Sequence, residues 1–412
     1  MKNVFLVGGA VRDMLMGIEP KDRDYVVVGS TPEDMLAAGF EQVGADFPVF
    51  LHPETGDEYA LARREKKTGS GYLGFTSEFG VDVTLEDDLQ RRDCTINSMA
   101  FEEELGNPGY FLVHDYFDGK DDLHNKILRH TSDAFQEDPV RVLRVARFRA
   151  RLGKDWTVAP ETKDLIRMMG KRGVLNELTA ERVWKEMSRA LVEKHPRLFF
   201  DTLHECDVLH VLFPEVYRLM SALESMKWHP EGNAYEHTML VLTQAALQFP
   251  GSLDHAMMAL VHDFGKGVTP LDQLPAHHGH DVKGVPVVKD FCAKWTVPAR
   301  LSKRLALVTR FHMNMHRLDS LNPKTFVKMF TEMDAFRDPE VVQWLHDMGC
   351  MDHRGRLGSE NEDVSNNARL LEVFEAVKSV TFADAVGDTS AKPEAIKQKM
   401  FAARVQAAKT AA

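Results

Sequence analysis

The chain changes character close to Pro139, and this change limits the folds that are open to it. Before that point, short runs of β-branched and aromatic residues alternate with turns, which is typical of mixed α/β structure. After it, long helical patterns dominate and strand signals fade. The predicted strands are Val4–Val7, Tyr25–Val28, Pro48–Leu51, Glu58–Ala62 and Val81–Leu85, with a hairpin around the Pro53–Asp57 turn. Lys66–Gly74 holds three glycines and a serine, and we expect it to be a mobile loop.

Composition argues against a disordered chain, a collagen-like repeat and a coiled coil. The 412 residues are 44% hydrophobic and 27% charged, as in a globular protein of two to four domains. No stretch approaches the ~20 apolar residues that span a bilayer. The cysteines form no CxxC pair, so a disulfide framework is not expected, and the predicted location is a reducing compartment, the cytoplasm.

Charge is distributed unevenly along the chain. The formal net charge is −11, yet residues 126–197 contain 17 basic and 10 acidic side chains. A basic segment inside an acidic protein indicates a surface for a polyanion, although basic residues on exposed helices would give the same pattern.

A glycine turn near the amino end forms the first part of a candidate site. The Val4–Val7 run leads into Gly8-Gly9, after which a helix is predicted. Glycine lets the backbone approach a phosphate closely, and the N–H groups at a helix start attract anions. Arg12, one turn into this helix, is placed to add charge-assisted bonds to the same phosphate.

Two aspartates follow about ten residues later. Asp22 and Asp24 lie in an extended segment, where alternate side chains share a face. Two carboxylates on one face suit Mg²⁺, which prefers oxygen ligands and retains substrate phosphates. Either feature alone is more often a plain turn, but together they predict a triphosphate cradle beside a magnesium site.

Several motifs resemble those of polymerase-β-type nucleotidyltransferases, and more closely class II tRNA nucleotidyltransferases (CCA-adding enzymes) and bacterial poly(A) polymerases. The matching segments, in order, are GGAVRD at 8–13, DRD at 22–24, LEDDLQRRDCTIN at 85–97, EDPVR at 137–141 and the basic helix 141–151. The resemblance implies an α/β head with the polymerase-β-like nucleotidyltransferase fold, followed by an all-α neck and an all-α HD body.

The resemblance also implies a reaction and a set of site residues. An RNA 3′-hydroxyl would attack the α-phosphorus of CTP or ATP and release pyrophosphate, with Asp22 and Asp24 catalytic and bound to Mg²⁺. Glu58 is a candidate third ligand, although an exposed strand acid explains it equally well. The implied nucleotide-binding residues are Gly9, Arg12, Arg92, Asp93, Asp138, Arg141 and Arg144.

Asp138 and Arg141 offer a means of choosing the base. Cytosine and adenine both present an amino donor beside a ring-nitrogen acceptor, which a carboxylate and a guanidinium can satisfy. Uracil and guanine invert both positions and would leave buried polar groups unpaired, at a cost on the order of 1–3 kcal/mol per group. On a helical wheel, Arg141, Arg144, Arg147 and Arg151 fall within about 120° of one another, which favours a nucleotide and RNA-backbone surface.

The helical half contains a second candidate site. His237 precedes the adjacent pair His262-Asp263 in HAMMALVHDFGKG, and Asp352 follows. Imidazole and carboxylate ligands suit a transition metal such as Ni²⁺ or Mn²⁺, while a histidine at a helix end is also favoured by the helix dipole alone. The pattern resembles the HD phosphohydrolase superfamily, and Asp281 stands where that family usually has glutamate. Further histidines in this half are His277, His278, His280, His312 and His316.

These observations predict a multifunctional CCA-adding enzyme, with poly(A) addition as the alternative. The HD body would add 2′,3′-cyclic phosphodiesterase, 2′-nucleotidase or phosphatase activity. The expected partners are tRNA, CTP and ATP, and the expected state is a monomer or weak homo-oligomer away from membranes. The predicted domains are a head (1–136), a neck (137–215), an HD domain (216–354) and a helical tail (355–412).

Overall fold

The computed structural model describes residues 3–43, 49–67, 75–103, 111–387 and 392–411. The chain divides into two compact units. The first comprises Met1–Glu186 with Leu198–Leu212, and the second comprises Met187–Arg197 with Phe213–Ala412. None of the described helices is long and apolar enough to cross a membrane.

A mixed sheet organises the first unit. The strands are β1 Val4–Val7, β2 Asp24–Val27, β3 Glu41–Val43, β4 Val49–Leu51, β5 Glu58–Leu61, β6 Arg63–Lys67, β7 Phe75–Phe79, β8 Met99–Glu103, β9 Phe111–Asp115, β10 Ile127–Leu128 and β11 Thr157–Val158. Within the described residues the order of the mixed sheet is β3-β4-β5-β2-β1-β8-β9, with β2 and β5 parallel and the other neighbours antiparallel. Two small two-stranded sheets pair β6 with β7 and β10 with β11.

The strands and hairpin predicted before residue 63 are confirmed, with shifts of one residue at their ends. The predicted strand Val81–Leu85 is wrong, because a helix begins at Leu85. Thr84 accepts a hydrogen bond from the Asp87 N–H, and the Asp87 carboxylate accepts one from Thr84 N–H. This reciprocal cap satisfies two N–H groups and fixes the helix start. Of the predicted Lys66–Gly74 loop, Lys66 and Lys67 belong to β6, and 68–74 lie outside the described residues.

Helices cover both faces of the sheet. Leu85 and Leu89 pack with Phe5 and Val26 on one face. Val11, Leu6 and Met99 pack together on the other. The helices of the first unit are α1 Gly9–Leu15, α2 Pro32–Ala37, α3 Leu85–Gln90, α4 Gly119–Asn125, α5 Val140–Leu152, α6 Pro160–Lys171, α7 Ala180–Leu191, α8 Arg197–Glu205 and α9 Leu209–Leu212, with α7 and α8 crossing the boundary between the units.

The described part of the second unit is built from helices and their connections, as the sequence predicts, with one isolated β-bridge between Leu223 and Asn233. One of its cores joins α15, α16 and α17 through Phe326, Phe330, Leu345 and Phe374. The helices are α10 Pro214–Arg218, α11 Ala234–Gln248, α12 Leu253–Val261, α13 His280–Lys294, α14 Ala299–Phe311, α15 Pro323–Glu332, α16 Glu340–Arg354, α17 Arg369–Lys378, α18 Phe382–Ala385 and α19 Pro393–Ala411. The four cysteines are buried free thiols.

Candidate nucleotide and metal sites

The glycine turn stands at the end of β1. Gly8 has a φ of +73°, which favours glycine, and its N–H donates to the Met99 carbonyl oxygen. A Cβ atom added to Gly8 would lie 2.9 Å from a terminal nitrogen of Arg92. The fold therefore places the turn directly against Arg92, a residue that is 84 positions away in sequence.

Two acidic residues lie at the same end of the sheet, where β1 ends and where β2 and β5 begin. Asp24 pairs in register with Val7 on β1 and with Glu58 on β5, so Asp24 and Glu58 point to the same face. Tyr25 and Tyr59, one residue on in each strand, stack on the opposite face with ring centroids 4.5 Å apart. Both carboxylates are exposed.

Electrostatics indicate that Asp22 belongs to this group. Partial loss of hydration raises the pKa of Asp24, and the charge of Asp22 raises it further, whereas Arg92 lowers it. A carboxylate whose pKa is raised by a neighbouring carboxylate is stabilised as an anion by a cation bound beside it. The residues present therefore fit a hard divalent ion such as Mg²⁺.

Arg92 is oriented by an acid that sequence reasoning missed. Asp88 is fully buried and accepts from Arg92 Nη2 at 2.9 Å and from Arg91 Nη2 at 2.6 Å. Burial alone raises the pKa of Asp88, but these two guanidinium groups outweigh it and lower the pKa to about 2. The Nε atom of Arg92 is buried without a hydrogen-bond partner. The helical i, i+4 spacing of Asp88 and Arg92 is the signal that identifies this pair from sequence.

Asp93 is buried and engaged on both oxygens. Oδ1 accepts from the Cys94 N–H and from Asn97 Nδ2, and Oδ2 accepts from Arg144 Nε at 2.6 Å. Burial alone raises the pKa of Asp93, but Arg144 and Asn97 outweigh it and lower the pKa to about 2. Two predicted nucleotide-binding residues, the buried Asp93 and the half-buried Arg144, thus form an ion pair.

Arg12 is also enclosed by protein. It is 2% exposed and donates to Asp13 Oδ1 and to Asn97 Oδ1. Burial lowers its pKa, and Asp13 works against that shift. Arg12 thus ties helix α1 to the segment that carries Asp93.

Asp138 has a partner that the sequence did not indicate. Both of its carboxylate oxygens accept from Arg182 Nη2, at 2.8 and 2.7 Å, and Oδ1 also caps the Val140 N–H. Arg141 is 7% exposed and donates from Nη1 to the Ala134 carbonyl oxygen at 2.5 Å. No local pattern links Asp138 to Arg182, since 44 residues separate them.

The arginine face of α5 meets acids from other elements. The helical wheel correctly places these arginine side chains on one side of α5. The carboxylates that pair with them come from parts of the first unit that are distant in sequence. The side-chain pairs are Arg144–Asp93, Arg147–Glu186 and Arg151–Asp13.

In the second unit, the predicted residues His237, His262, Asp263 and Asp352 are all buried. His237 Nε2 lies 3.0 Å from Asp352 Oδ1 and 3.9 Å from Asp263 Oδ2. His262 Nε2 lies 3.2 Å from Asp263 Oδ2, and it is buried without a hydrogen-bond partner. A buried nitrogen aimed at a carboxylate with no donor between them fits a metal ligand.

Other side chains surround this cluster. Glu231 accepts from His237 Nδ1 at 2.9 Å, and His316 Nε2 lies 2.9 Å from Asp352 Oδ2. Burial alone lowers the pKa of His237, but Asp352 and Glu231 raise it to about 9. Lys266 Nζ lies 2.7 Å from Asp263 Oδ2 and 2.5 Å from Glu224 Oε1. Glu231, Glu224 and Lys266 were not singled out in the sequence as partners.

The remaining predicted histidines separate into different roles. His280 and His312 lie beside Asp263, whereas His277 contacts Thr269 and the Leu223 carbonyl oxygen, and His278 is exposed. Asp281 pairs with Arg310 at 2.5 Å.

Comparisons with known proteins bear on both units. Residues 4–129 match the family model described as "Poly A polymerase head domain". The part of the first unit over residues 4–129 therefore has the nucleotidyltransferase head fold. Residues 155–220 match the family model described as "Probable RNA and SrmB- binding site of polymerase A".

Solved structures resemble the chain over almost its whole length. A CCA-adding enzyme in complex with CTP is 18% identical to this chain, with a TM-score of 0.62. The structural alignment covers 98% of this chain and 87% of that enzyme. The Bacillus stearothermophilus CCA-adding enzyme in complex with CTP is 20% identical, with a TM-score of 0.60 and coverages of 99% and 89%. A CCA-adding enzyme in complex with ATP is 19% identical, with a TM-score of 0.61 and coverages of 98% and 85%. At these identities the likeness is one of fold.

Proposed function

We propose that the chain adds C, C and A to the 3′ end of tRNA, using CTP and ATP and releasing pyrophosphate. The observation that carries this proposal is the meeting of Asp24, Glu58, the Gly8 turn and Arg92 at one edge of the sheet. The head fold and the likeness to CCA-adding enzymes support it. In the reaction, the RNA 3′-hydroxyl loses its proton to water, its oxygen forms a bond to the α-phosphorus, the bond from that phosphorus to the α,β-bridging oxygen breaks, and pyrophosphate leaves.

Asp22 and Asp24 would hold Mg²⁺, with Glu58 as the third ligand. Bound Mg²⁺ supplies charge neutralisation for the triphosphate and for the oxygens that attack and leave. Arg92, fixed by Asp88, supplies a guanidinium for the phosphates beside the Gly8-Gly9 turn. Arg12 and the Asp93–Arg144 pair hold the surrounding segments in place.

Asp138 and Arg141 would select the base. A carboxylate has about four acceptor positions, so Asp138 can accept from an exocyclic amino group while it is held by Arg182. We therefore add Arg182 as a positioning residue for Asp138. Its loss is expected to reduce the discrimination of C and A against U and G more than it reduces turnover.

A nucleotide incorporation assay tests this function. The substrate is tRNA lacking its 3′ CCA, supplied with each triphosphate singly and then with CTP and ATP together. We expect two C residues from CTP alone and a complete CCA from the mixture. Asp24→Asn should lower the rate at least a hundredfold, since a metal contributes several kcal/mol to such reactions. Glu54→Gln, an exposed acid in the β4–β5 turn, is the matched control and should leave the rate unchanged.

Poly(A) addition is the second candidate, favoured by the description of the family that matches residues 4–129. Long incorporation from ATP alone, with no incorporation from CTP, would select it and reject CCA addition. The tRNA partner, the cytoplasmic location and the monomeric or weakly oligomeric state belong to the same proposal. The match to an RNA-binding model at 155–220 supports the RNA partner.

We further propose that residues 216–354 form an HD phosphohydrolase domain. His237, His262, Asp263 and Asp352 would hold a transition metal such as Ni²⁺ or Mn²⁺, which supplies Lewis acidity toward a phosphate ester. The unpartnered His262 Nε2 supports this. In the hydrolysis, a water oxygen forms a bond to phosphorus, the ester P–O bond breaks, and the leaving oxygen takes a proton.

Hydrolysis of 2′,3′-cyclic nucleotides and phosphomonoesters tests this second activity. His262→Ala should abolish hydrolysis and leave nucleotide incorporation intact, while His278→Ala, an exposed histidine of the same half, should change neither. Hydrolysis that survives His262→Ala would reject the assignment.

A further inference from the structure

A cavity that neither proposed activity uses lies beside the proposed phosphohydrolase site. Its volume is about 180 Å³, and its wall includes His316, Arg317, Asn366 and Asn367. His316 connects the cavity to the buried cluster, because its Nε2 atom lies 2.9 Å from Asp352 Oδ2. A ligand in the cavity is therefore separated from a proposed metal ligand by one side chain.

The wall of the cavity combines apolar and carboxamide groups. Met315 and Leu318 are buried and supply apolar surface. Asn367 Nδ2 donates only to Cys350 Sγ, a weak acceptor, at 3.4 Å, and within the described residues the Asn366 side chain makes no hydrogen bond. A carboxamide offers a donor and an acceptor side by side, which is what the edge of a nucleobase requires.

Arg356 stands on the other side of His316. Its Nη2 atom lies 3.1 Å from His316 Nδ1. A guanidinium can only donate, so His316 Nδ1 accepts and the Nε2–H of the same ring faces Asp352. The Nε atom of Arg356 is buried without a hydrogen-bond partner. Phosphate oxygens are acceptors that a guanidinium binds strongly, so Arg356 is suited to the phosphate of a ligand whose other end lies in the cavity.

Charge around the cavity favours an anionic ligand. The acid in its wall is already neutralised, since Asp319 Oδ1 lies 3.4 Å from Arg369 Nη1. Arg317 is exposed, and in the described part of the chain neither Arg317 nor Arg356 forms an ion pair. Two cations thus stand beside the cavity without a protein carboxylate to balance them.

We propose that the cavity and Arg356 form a nucleotide-binding subsite, in which the cavity takes the base and Arg356 takes a phosphate oxygen. The inference rests on the proposed phosphohydrolase and narrows its substrates to phosphate esters of nucleosides. Sites for drug-sized ligands measure about 300–1,000 Å³, so this cavity holds one part of the substrate and not a whole nucleotide. Asn366 and Asn367 are then specificity-determining residues.

Two phosphomonoesters of secondary alcohols test the base-binding role, because adenosine 2′-monophosphate carries a base and glycerol 2-phosphate does not. Asn366→Ala in the full-length chain, loaded with Mn²⁺, removes the carboxamide without filling the cavity. It should lower the ratio of kcat/KM for the nucleotide over the glycerol ester about tenfold. Asn361→Ala, an exposed asparagine five residues earlier, is the matched control and should keep the ratio. An unchanged ratio in Asn366→Ala overturns the base-binding role.

Arg356 is tested by the KM of both esters, because both carry a phosphate. Arg356→Gln removes the charge and should raise both KM values at least tenfold, and Arg356→Lys should recover part of this loss. Arg337→Gln, which changes an exposed arginine of the same unit, should raise neither. An effect on kcat alone would indicate that Arg356 only orients His316, and that result overturns the phosphate-binding role.

A binding measurement separates the subsite from the hydrolase itself. If neither ester is hydrolysed, the proposed phosphohydrolase fails, and equilibrium dialysis of adenosine 2′-monophosphate decides the subsite. All chains carry Asp24→Asn, so that the head contributes equally. Asn366→Ala and Arg356→Gln should each bind the nucleotide several-fold more weakly than Asn361→Ala, and equal binding overturns the subsite. Circular dichroism of Asn366→Ala must match the unsubstituted chain, and if it does not, Asn367→Ala replaces it with the same expected loss.

Discussion

The ion pair between the buried Asp93 and the half-buried Arg144 gives the most quantitative prediction. The pKa of Asp93 falls from 3.8 to about 2 in the folded chain. Since one pKa unit is worth about 1.4 kcal/mol, this corresponds to about 2 kcal/mol of stability at neutral pH. Asn97 supplies part of it, and the Arg144 side chain is 36% exposed and partly screened by water. We therefore expect a coupling energy of about 1–2 kcal/mol between the two side chains.

A double-mutant cycle of Asp93→Asn and Arg144→Met measures this energy. Hydrogen exchange followed by mass spectrometry gives local free energies of unfolding for peptides covering 85–101 and 140–152. These local values do not require the two units to unfold in a single transition. The control cycle uses Arg167→Met and Asp164→Asn, an exposed pair on α6 with the same 2.5 Å separation. The control should show less than about 0.5 kcal/mol, because exposed pairs contribute little.

The pH dependence has a definite sign. A carboxylate with a lowered pKa contributes its full stability above the unfolded pKa, and the contribution is lost as the pH falls from about 4 toward 2. The coupling should be complete at pH 7 and about half as large at pH 3. A coupling that equals the control, or that is unchanged between pH 7 and pH 3, refutes the assignment of the shift to burial beside Arg144.

Three other substitutions test separate parts of the fold. Thr84→Ala removes the reciprocal cap with Asp87 and should cost about 1 kcal/mol in local stability of α3 by hydrogen exchange. Gly8→Ala adds a Cβ at a positive φ and 2.9 Å from a terminal nitrogen of Arg92, so it should raise the KM for CTP and also lower thermal stability, and an unchanged KM would contradict this. Phe330→Ala empties a fully buried site in the second unit and should cost about 3–5 kcal/mol by urea unfolding, while nucleotide incorporation at low temperature persists.

Much of the candidate site follows from short-range rules. The hairpin that carries Glu58 was predicted from alternation and its turn, and the glycine turn from the run that precedes it. The same rules misassigned Val81–Leu85, where the reciprocal cap between Thr84 and Asp87 starts a helix at Leu85. The domain boundaries and the roles of individual site residues stay predictions.

The sequence by itself determined the change to mainly helical structure after Pro139, the glycine turn, the aspartates of 22–24 and the position of the His262-Asp263 pair in the helical half, because these depend on residues a few positions apart. Only the tertiary structure decided which charges meet. Asp138 pairs with Arg182 across 44 residues, and Arg151 reaches Asp13 across 138. Partners so far apart are brought together by strand order and helix packing, and a buried charge requires some such partner without local sequence specifying which one.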